Sequence, residues 1–595
     1  MAIAANQSRR QLHFIVFPVM APGHMLPMID VARMLARCDG VMVTIITTPV
    51  NANRFRSMLD RDRECGFNIG ALELRFPCKE VGLPEGCENA DLVPKGKNLE
   101  MNFLAAVGML RPHVEAAMKR CEPPASCIVS DMLLIWTAEI AEGLNIPRIV
   151  FNGSCCFSYW CSNKITDSEI LGGVKSDTEM FTVPDLPHKI QVCKAQVKGV
   201  TFDPNILNPD LAKLVAEKLR QSINAAYGAI VNSFDELEPD YVKEYKKMYG
   251  GRVWCVGPVS LCNQEYEDQA LRGATSAAEK KIDEQQERLM KWLDLQEAGS
   301  TIYVSLGSLA RLTPRQMTEL AVGLESSKRP FIWVLGKKDM HLDAFEDWNV
   351  STGFEERNKG RGVLIREWAP QVLILSHPSV GGFLTHCGWN STLEAISLGV
   401  PMLTWPLFAE QFLNEKLVVE VLGIGVSLGL KVSVNWDGSE DKGNIVVVKS
   451  EEIKEGIDKL MDKEAGKERR RKVKELGEKA KKAVQKGFLD YPSASSSIPS
   501  PKDSIFSSLL DSKPDPFQNL FGAFKKWDSQ VGCAQFREKH GGDFRNGSGL
   551  ISSPSLQDVD EGKLECGELK MNHVSILVKG WTWIPDGMKN YLDSS

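Results

Sequence analysis

From residue 13 onward, short runs of apolar and β-branched residues alternate with longer stretches whose apolar positions recur every three or four residues. Residues 13–19 (HFIVFPV) and 41–49 (VMVTIITTP) read as strands, and 25–38 (MLPMIDVARMLARC) between them reads as an amphipathic helix. Strand-like runs return at 126–132, 147–153 and 229–234, each flanked by helical periodicity. A strand buried on both faces needs an apolar run rather than alternation, so this rhythm predicts βαβ units and a parallel sheet. After 252–260 come about thirty polar and charged residues without strand character, and then a second series of strands at 301–309, 331–336, 362–368, 380–386 and 401–407.

The expected fold class is therefore α/β, with a doubly wound domain over 1–250, a linker over 251–295 and a second doubly wound domain over 296–486. The run 464–486 carries both charge signs densely and reads as a solvated helix. Beyond Lys486 the composition changes. Residues 491–516 are rich in Ser and Pro, and although Trp527, Trp581 and Trp583 follow, no βαβ unit does, so 487–595 is expected to be a largely disordered extension.

Composition narrows the function classes. Hydrophobic residues at 43% and charged residues at 25% of 595 suit an ordinary soluble globular chain. A net charge of −6 gives no general attraction for nucleic acid or an anionic membrane, and no apolar run reaches the length of a membrane span. The 15 cysteines form no C-x-x-C pair or zinc-ligand spacing, and the N-terminus lacks a signal-peptide layout. Reduced thiols and a cytoplasmic location are expected, with neither nucleic acid nor membrane as partner.

The chemistry concentrates between Trp368 and Gln411. A strand ending near His386, a Cys-Gly turn and a helix opening at about Asn390 form an anion site, because free backbone N–H groups and the helix dipole favour a phosphate there. His386 and Ser391 add donors, Glu394 one turn in can accept from a ribose diol, and Trp368 offers a flat face to a base. Glu410 and Gln411 follow a strand and can hold sugar hydroxyls. Near the other end, Gly23-His24 stands where the first strand hands over to a helix, and Asp131 follows the strand at 126–130. Any one of these residues alone is ordinary turn or packing chemistry; the ensemble is what is specific.

The 44-residue stretch Trp368–Gln411 resembles, almost position for position, the donor-binding box of plant family 1 UDP-glycosyltransferases. The resemblance covers about 12–486, and the wording of 17–30, 130–158 and 291–309 is similar to the group D branch. It implies a GT-B fold, two Rossmann-like domains facing across a cleft, and inverting glucosyl transfer from UDP-glucose to a hydroxyl of a small hydrophobic plant metabolite: a flavonoid, phenolic, triterpenoid or hormone. It also implies that His24 is the general base and Asp131 its orienting partner. Ser308, Trp368, Ala369, Gln371, His386, Gly388, Trp389, Asn390, Ser391, Glu394, Glu410 and Gln411 become the donor set, with Trp389 and Gln411 favouring glucose. UDP-glucose is then a co-substrate, no cofactor or metal is called for, and a monomer is expected.

Two departures stand out. Pro22 occupies a position where relatives carry Gln, so its rigid ring is expected to affect the loop that places His24. The helix that in relatives crosses back onto the first domain is replaced after residue 486, and 521–542 with 564–593 resemble the stem region of plant α1,4-fucosyltransferases. A chimera that binds UDP-sugar without turnover is therefore the competing reading.

Overall fold

The computed structural model describes residues 11–94, 99–168, 170–197, 209–273, 286–309, 312–335, 342–366, 368–432 and 447–489. In chain order the strands are β1 (Leu12–Phe17), β2 (Val41–Thr47), β3 (Ile69–Glu73), β4 (Cys127–Asp131) and β5 (Arg148–Asn152), a hairpin β6 (Met180–Thr182) and β7 (Gln191–Cys193), then β8 (Gly228–Val231) and β9 (Val253–Cys255). A second set comprises β10 (Thr301–Ser305), β11 (Phe331–Val334), β12 (Gly362–Ile365), β13 (Val380–Thr385), β14 (Met402–Thr404) and β15 (Gly425–Ser427). The first sheet runs β3-β2-β1-β4-β5-β8-β9 and the second β12-β11-β10-β13-β14-β15, and the pairings within each are parallel.

Sequence order reverses direction between β1 and β4 in one sheet and between β10 and β13 in the other. Ligands of open α/β sheets bind beyond the carboxyl ends of strands at such switch points. Asp131 ends β4, and the segments that leave β1, β10 and β13 carry His24, Ser308 and His386, so both switch points lie at the candidate site.

Two expectations about boundaries change. The first sheet passes residue 250, because β9 forms its edge and Val259 and Cys262 are buried in the core beneath β1 and β2. The segment expected to be a plain linker contains a helix at Tyr266–Leu271 and another over 286–294, with Leu289 and Leu293 buried. Its polar composition concealed apolar anchors only one turn apart. The crossing segment and the fucosyltransferase-like region lie beyond residue 489, outside the described residues. The 23-residue helix Lys467–Leu489 nevertheless spans about 34 Å. It buries Val473 and Ala480 with the second domain and packs Val484 against the first-domain core.

Candidate active site

β1 hands over through Ala21 to helix α1 (Pro22–Ala36). Pro22 is the first residue of that helix, where a missing N–H costs nothing and the fixed φ suits the turn. The proline expected to disturb the loop thus starts the helix that carries His24. His24 Nδ1 lies 2.7 Å from Asp131 Oδ2, with side-chain exposures of 38% and 1%. Asp131 is the last residue of β4, and its Oδ1 accepts from the Leu133 N–H at 2.9 Å. With both carboxylate oxygens engaged, the Asp holds Nδ1 of His24 protonated and turns Nε2 outward as the basic nitrogen. Burial pulls the His24 pKa down, but the Asp131 carboxylate outweighs it, with help from Glu410, and the net shift is upward. Glu410 comes from the opposite domain, so the charges of both domains act on His24.

Across the cleft, β13 ends at Thr385 and the helix Trp389–Leu398 begins after Gly388, which caps it without any side-chain hydrogen bond. The first N–H groups of that helix are therefore available to an anion. Cys387 makes the turn at φ +64°, an unusual conformation for a non-glycine residue; Ala409, just before Glu410, has φ +53°. Backbone strain of this kind gathers at functional loops. Two glycines frame the His386 imidazole: a Cβ at Gly307 would stand 2.5 Å from Nε2 and one at Gly388 only 2.3 Å. Gly307 precedes Ser308, so the β10 and β13 loops meet at this ring. His386 Nδ1 is a buried polar atom without a protein partner, and burial pushes the imidazole pKa down to about 4. The ring is neutral at physiological pH and brings a hydrogen-bonding group to the mouth of the helix.

The remaining donor-set residues fall into three groups. Gln371, Ser391 and Glu394 are hydrogen-bonded together: Gln371 Nε2 donates to Ser391 Oγ at 2.9 Å and to Glu394 Oε2 at 2.7 Å. Asn390 and Trp389 turn to the first domain instead. Asn390 Nδ2 donates to the Gly23 carbonyl at 2.7 Å, one residue from His24, and the buried Trp389 indole donates to the Asn232 carbonyl at 2.6 Å. Trp389 thus braces one domain against the other. Gln411 Oε1 accepts from the N–H groups of Leu407 and Phe408, which fixes the orientation of its amide and makes the NH₂ end the one presented elsewhere. Ala369 is buried beside Gln371, to whose N–H its carbonyl bonds at 2.9 Å. Trp368 is half-buried, with Nε1 against Gly273 from the interdomain segment.

Several participants escaped the sequence reading. Asn232 donates to Asn390 Oδ1 at 3.3 Å and accepts from the Val259 N–H, joining the two domains and their connection. Asn414 donates to the Cys387 carbonyl at 2.9 Å and contacts Cys155 of the first domain. Arg272 pairs with Asp30 of α1 and with Glu394. A lone Asn or Arg has no periodicity or motif to reveal it; only the fold supplies its neighbours. Chemically, the arrangement brings an oriented imidazole and an uncapped helix terminus to one cleft, tied by the Asn390–Gly23 bond.

Comparison with known proteins identifies the family. Residues 269–459 match the family described as UDP-glucoronosyl and UDP-glucosyl transferase. UDP-glycosyltransferase 73C3 of Arabidopsis thaliana is 49% identical over 484 residues, covering 81% of this chain and 94% of that protein. The crystal structure of Glycyrrhiza uralensis UGT73P12 complexed with glycyrrhetinic acid 3-O-monoglucuronide aligns with a TM-score of 0.71 at 37% identity, over 80% of this chain and 92% of that one. Phytolacca americana UGT2 complexed with UDP-2fluoro-glucose and pterostilbene aligns at 0.60 and 25% identity, over 80% and 96%. Two parallel-sheet domains of the GT-B kind and a relative nearly half identical over most of the chain lead to one assignment: this chain belongs to the UDP-glycosyltransferase family and is an enzyme of that class.

Proposed function

We propose that the protein is a group D-like, inverting UDP-glucose-dependent O-glucosyltransferase that acts on hydroxyl groups of small hydrophobic plant metabolites in the cytoplasm, as a monomer. The observation that carries this reading is the Asn390–Gly23 hydrogen bond, which ties the start of the donor-side helix to the residue before His24. Base and donor site thus share one cleft. His24 Nε2 takes the proton of an acceptor hydroxyl, the oxygen attacks C1 of the glucose from the face opposite the phosphate, the C1–O bond to UDP breaks, and UDP leaves. The helix terminus after Gly388 and the hydroxyls of Ser308 and Ser391 stabilise the departing diphosphate, so the reading calls on no metal ion. Glucose is supported by Glu410 and by the fixed Gln411 amide, an acceptor and a donor pair for sugar hydroxyls.

Among the flavonoid, phenolic, triterpenoid and hormone classes, a triterpenoid or phenolic acceptor has the most support, because the related structures hold glycyrrhetinic acid 3-O-monoglucuronide and pterostilbene. The extension over 487–595 adds no second transferase activity in this reading, since no second catalytic motif accompanies it. UDP release on a panel of such acceptors, with His24→Ala as control, tests the proposal. Turnover that falls about 10²–10⁴-fold in the variant supports it. UDP-glucose binding without His24-dependent release identifies the non-catalytic chimera instead.

A further inference from the structure

The short helix Tyr266–Leu271 ends at Arg272, whose side chain is only 8% exposed although it belongs to the connection between domains. Its guanidinium uses all three nitrogens. Nε and one terminal nitrogen donate to Asp30 Oδ2 at 3.0 and 2.8 Å, and the other terminal nitrogen donates to Glu394 Oε1 at 2.5 Å. Asp30 lies on α1, two turns beyond His24, and Glu394 lies on the helix whose N-terminus faces the cleft. The exposures of the two carboxylates are 2% and 4%.

Asp30 is itself held from behind. Asn263 Nδ2 donates to its Oδ1 at 3.0 Å, and Arg33 donates to Asn263 at 2.5 Å and to Asp268 at 2.6 Å. Beyond Glu394 the connections continue to Gln371 and Ser391. The result is a continuous polar path from the first domain, through the connection, into the donor set. Removing one member of a buried charged set leaves its partner uncompensated, so each member is sensitive to the loss of the next.

The orientation of Glu394 is where this path acquires function. An ionised carboxylate offers about four acceptor positions, two on each oxygen. Arg272 takes one on Oε1 and Gln371 takes one on Oε2, which leaves one on each oxygen. Two parallel acceptors held by a fixed carboxylate match the two O–H donors of a vicinal diol.

We propose that Arg272 is a positioning residue for the donor: bridging Asp30 and Glu394, it fixes the Glu394 carboxylate to receive the ribose diol of the UDP-sugar and couples that grip to the helix bearing His24. The inference rests on the reading of Glu394 as the ribose acceptor. A lysine cannot reproduce it, because a point-like ammonium lacks the planar fork that reaches two carboxylates at once.

The test is a ligand comparison on the full-length chain, with affinities of UDP and of 2′,3′-dideoxyuridine diphosphate measured by calorimetry for the native protein, Arg272→Met and Arg272→Lys. The native protein should prefer UDP by about 10- to 100-fold, the usual worth of hydrogen bonds to a buried ionised partner. In Arg272→Met that preference should collapse to within about threefold, with Arg272→Lys between the two, while affinity for the dideoxy ligand stays near native. A merely structural role would weaken both ligands alike. If the native protein discriminates and both variants discriminate equally well, Arg272 does not position Glu394 and the proposal fails. Should the Met variant not fold, native-level discrimination in the Lys variant overturns it alone. If the native protein does not discriminate at all, the reading of Glu394 fails first, and the two failures are told apart.

Discussion

Replacing Asp131 by Asn should nearly abolish turnover, and the structure says why a change of one atom suffices. The Leu133 N–H donates to Asp131 Oδ1 at 2.9 Å, while Oδ2 faces His24 Nδ1 at 2.7 Å. In the variant the half-buried Leu133 N–H is still best satisfied by an oxygen, so the Asn carbonyl takes that side and its NH₂ is left facing Nδ1. That NH₂ can only donate. Nδ1 must then be the unprotonated nitrogen, and Nε2, the one turned to the acceptor, carries the proton and cannot act as a base. Loss of general-base assistance amounts to about 10²–10⁴-fold in kcat, or about 3–5 kcal/mol of transition-state stabilisation. The KM for UDP-sugar should be nearly unchanged, because the pair touches none of the groups at the donor-side helix. The pH profile carries an independent sign. Burial lowers the His24 pKa and Asp131 more than restores it, so the acid limb of native kcat/KM, which reports the free enzyme, lies above the usual 6.5 and moves to lower pH once the carboxylate is gone. Steady-state UDP release between pH 5 and 9 with a reactive phenolic acceptor measures both. A variant that keeps more than about a tenth of native kcat with its acid limb unmoved would falsify the orienting role of Asp131.

Gly388→Ala should fold but bind the donor poorly: its Cβ would stand 2.3 Å from His386 Nε2, forcing the ring aside at the mouth of the helix. Overpacking of this kind costs about 1–3 kcal/mol, so a lower Tm together with a KM for UDP-glucose raised about tenfold is expected; unchanged values of both refute the cradle. His386 gives a stability signature. Its pKa of about 4 lies below the usual 6.5, so between these values the unfolded chain binds a proton that the native one excludes. The associated stability is complete above pH 6.5 and fades as pH falls towards 4, by up to about 3 kcal/mol. His386→Gln should show a correspondingly shallower fall in denaturant midpoint over that range, whereas parallel curves would show that the ring titrates freely.

What could be read from the chain and what could not divide along a physical line. Central strands were legible because both their faces are buried: β4, β5 and β8 are wholly enclosed, and each carries an apolar, β-branched centre, Cys127–Val129, Ile149–Phe151 and Ala229–Val231. β3 was missed because it lies at the sheet edge with alternate residues exposed, and β9 and β15, three residues each, are edge strands too short to hold a period. Within the site, strand ends marked where a parallel sheet offers its chemistry, but His24, Asp131 and the segment from Trp368 to Gln411 were singled out by the family resemblance of a long contiguous stretch, since each residue alone reads as turn or packing chemistry.

Arg272 and Asn232 were invisible for the opposite reason. Each matters through what it touches in another domain, 122 residues away for the Arg272–Glu394 contact and 158 for Asn232–Asn390. No local pattern encodes a contact at that separation. The same distinction decides what Trp389 does. In the sequence it belongs to the donor set by position, yet its indole is buried and bonded to Asn232, so any effect it has on the donor would pass through the angle at which the two domains meet. In a two-domain transferase, residues that read as donor contacts along the chain therefore include some whose task is to set the cleft itself. The Asn390–Gly23 bond, the Trp389 brace and the Arg272 bridge each join a candidate donor-side residue to the first domain or its connection, so a change at any of them would be felt in donor binding and domain closure together.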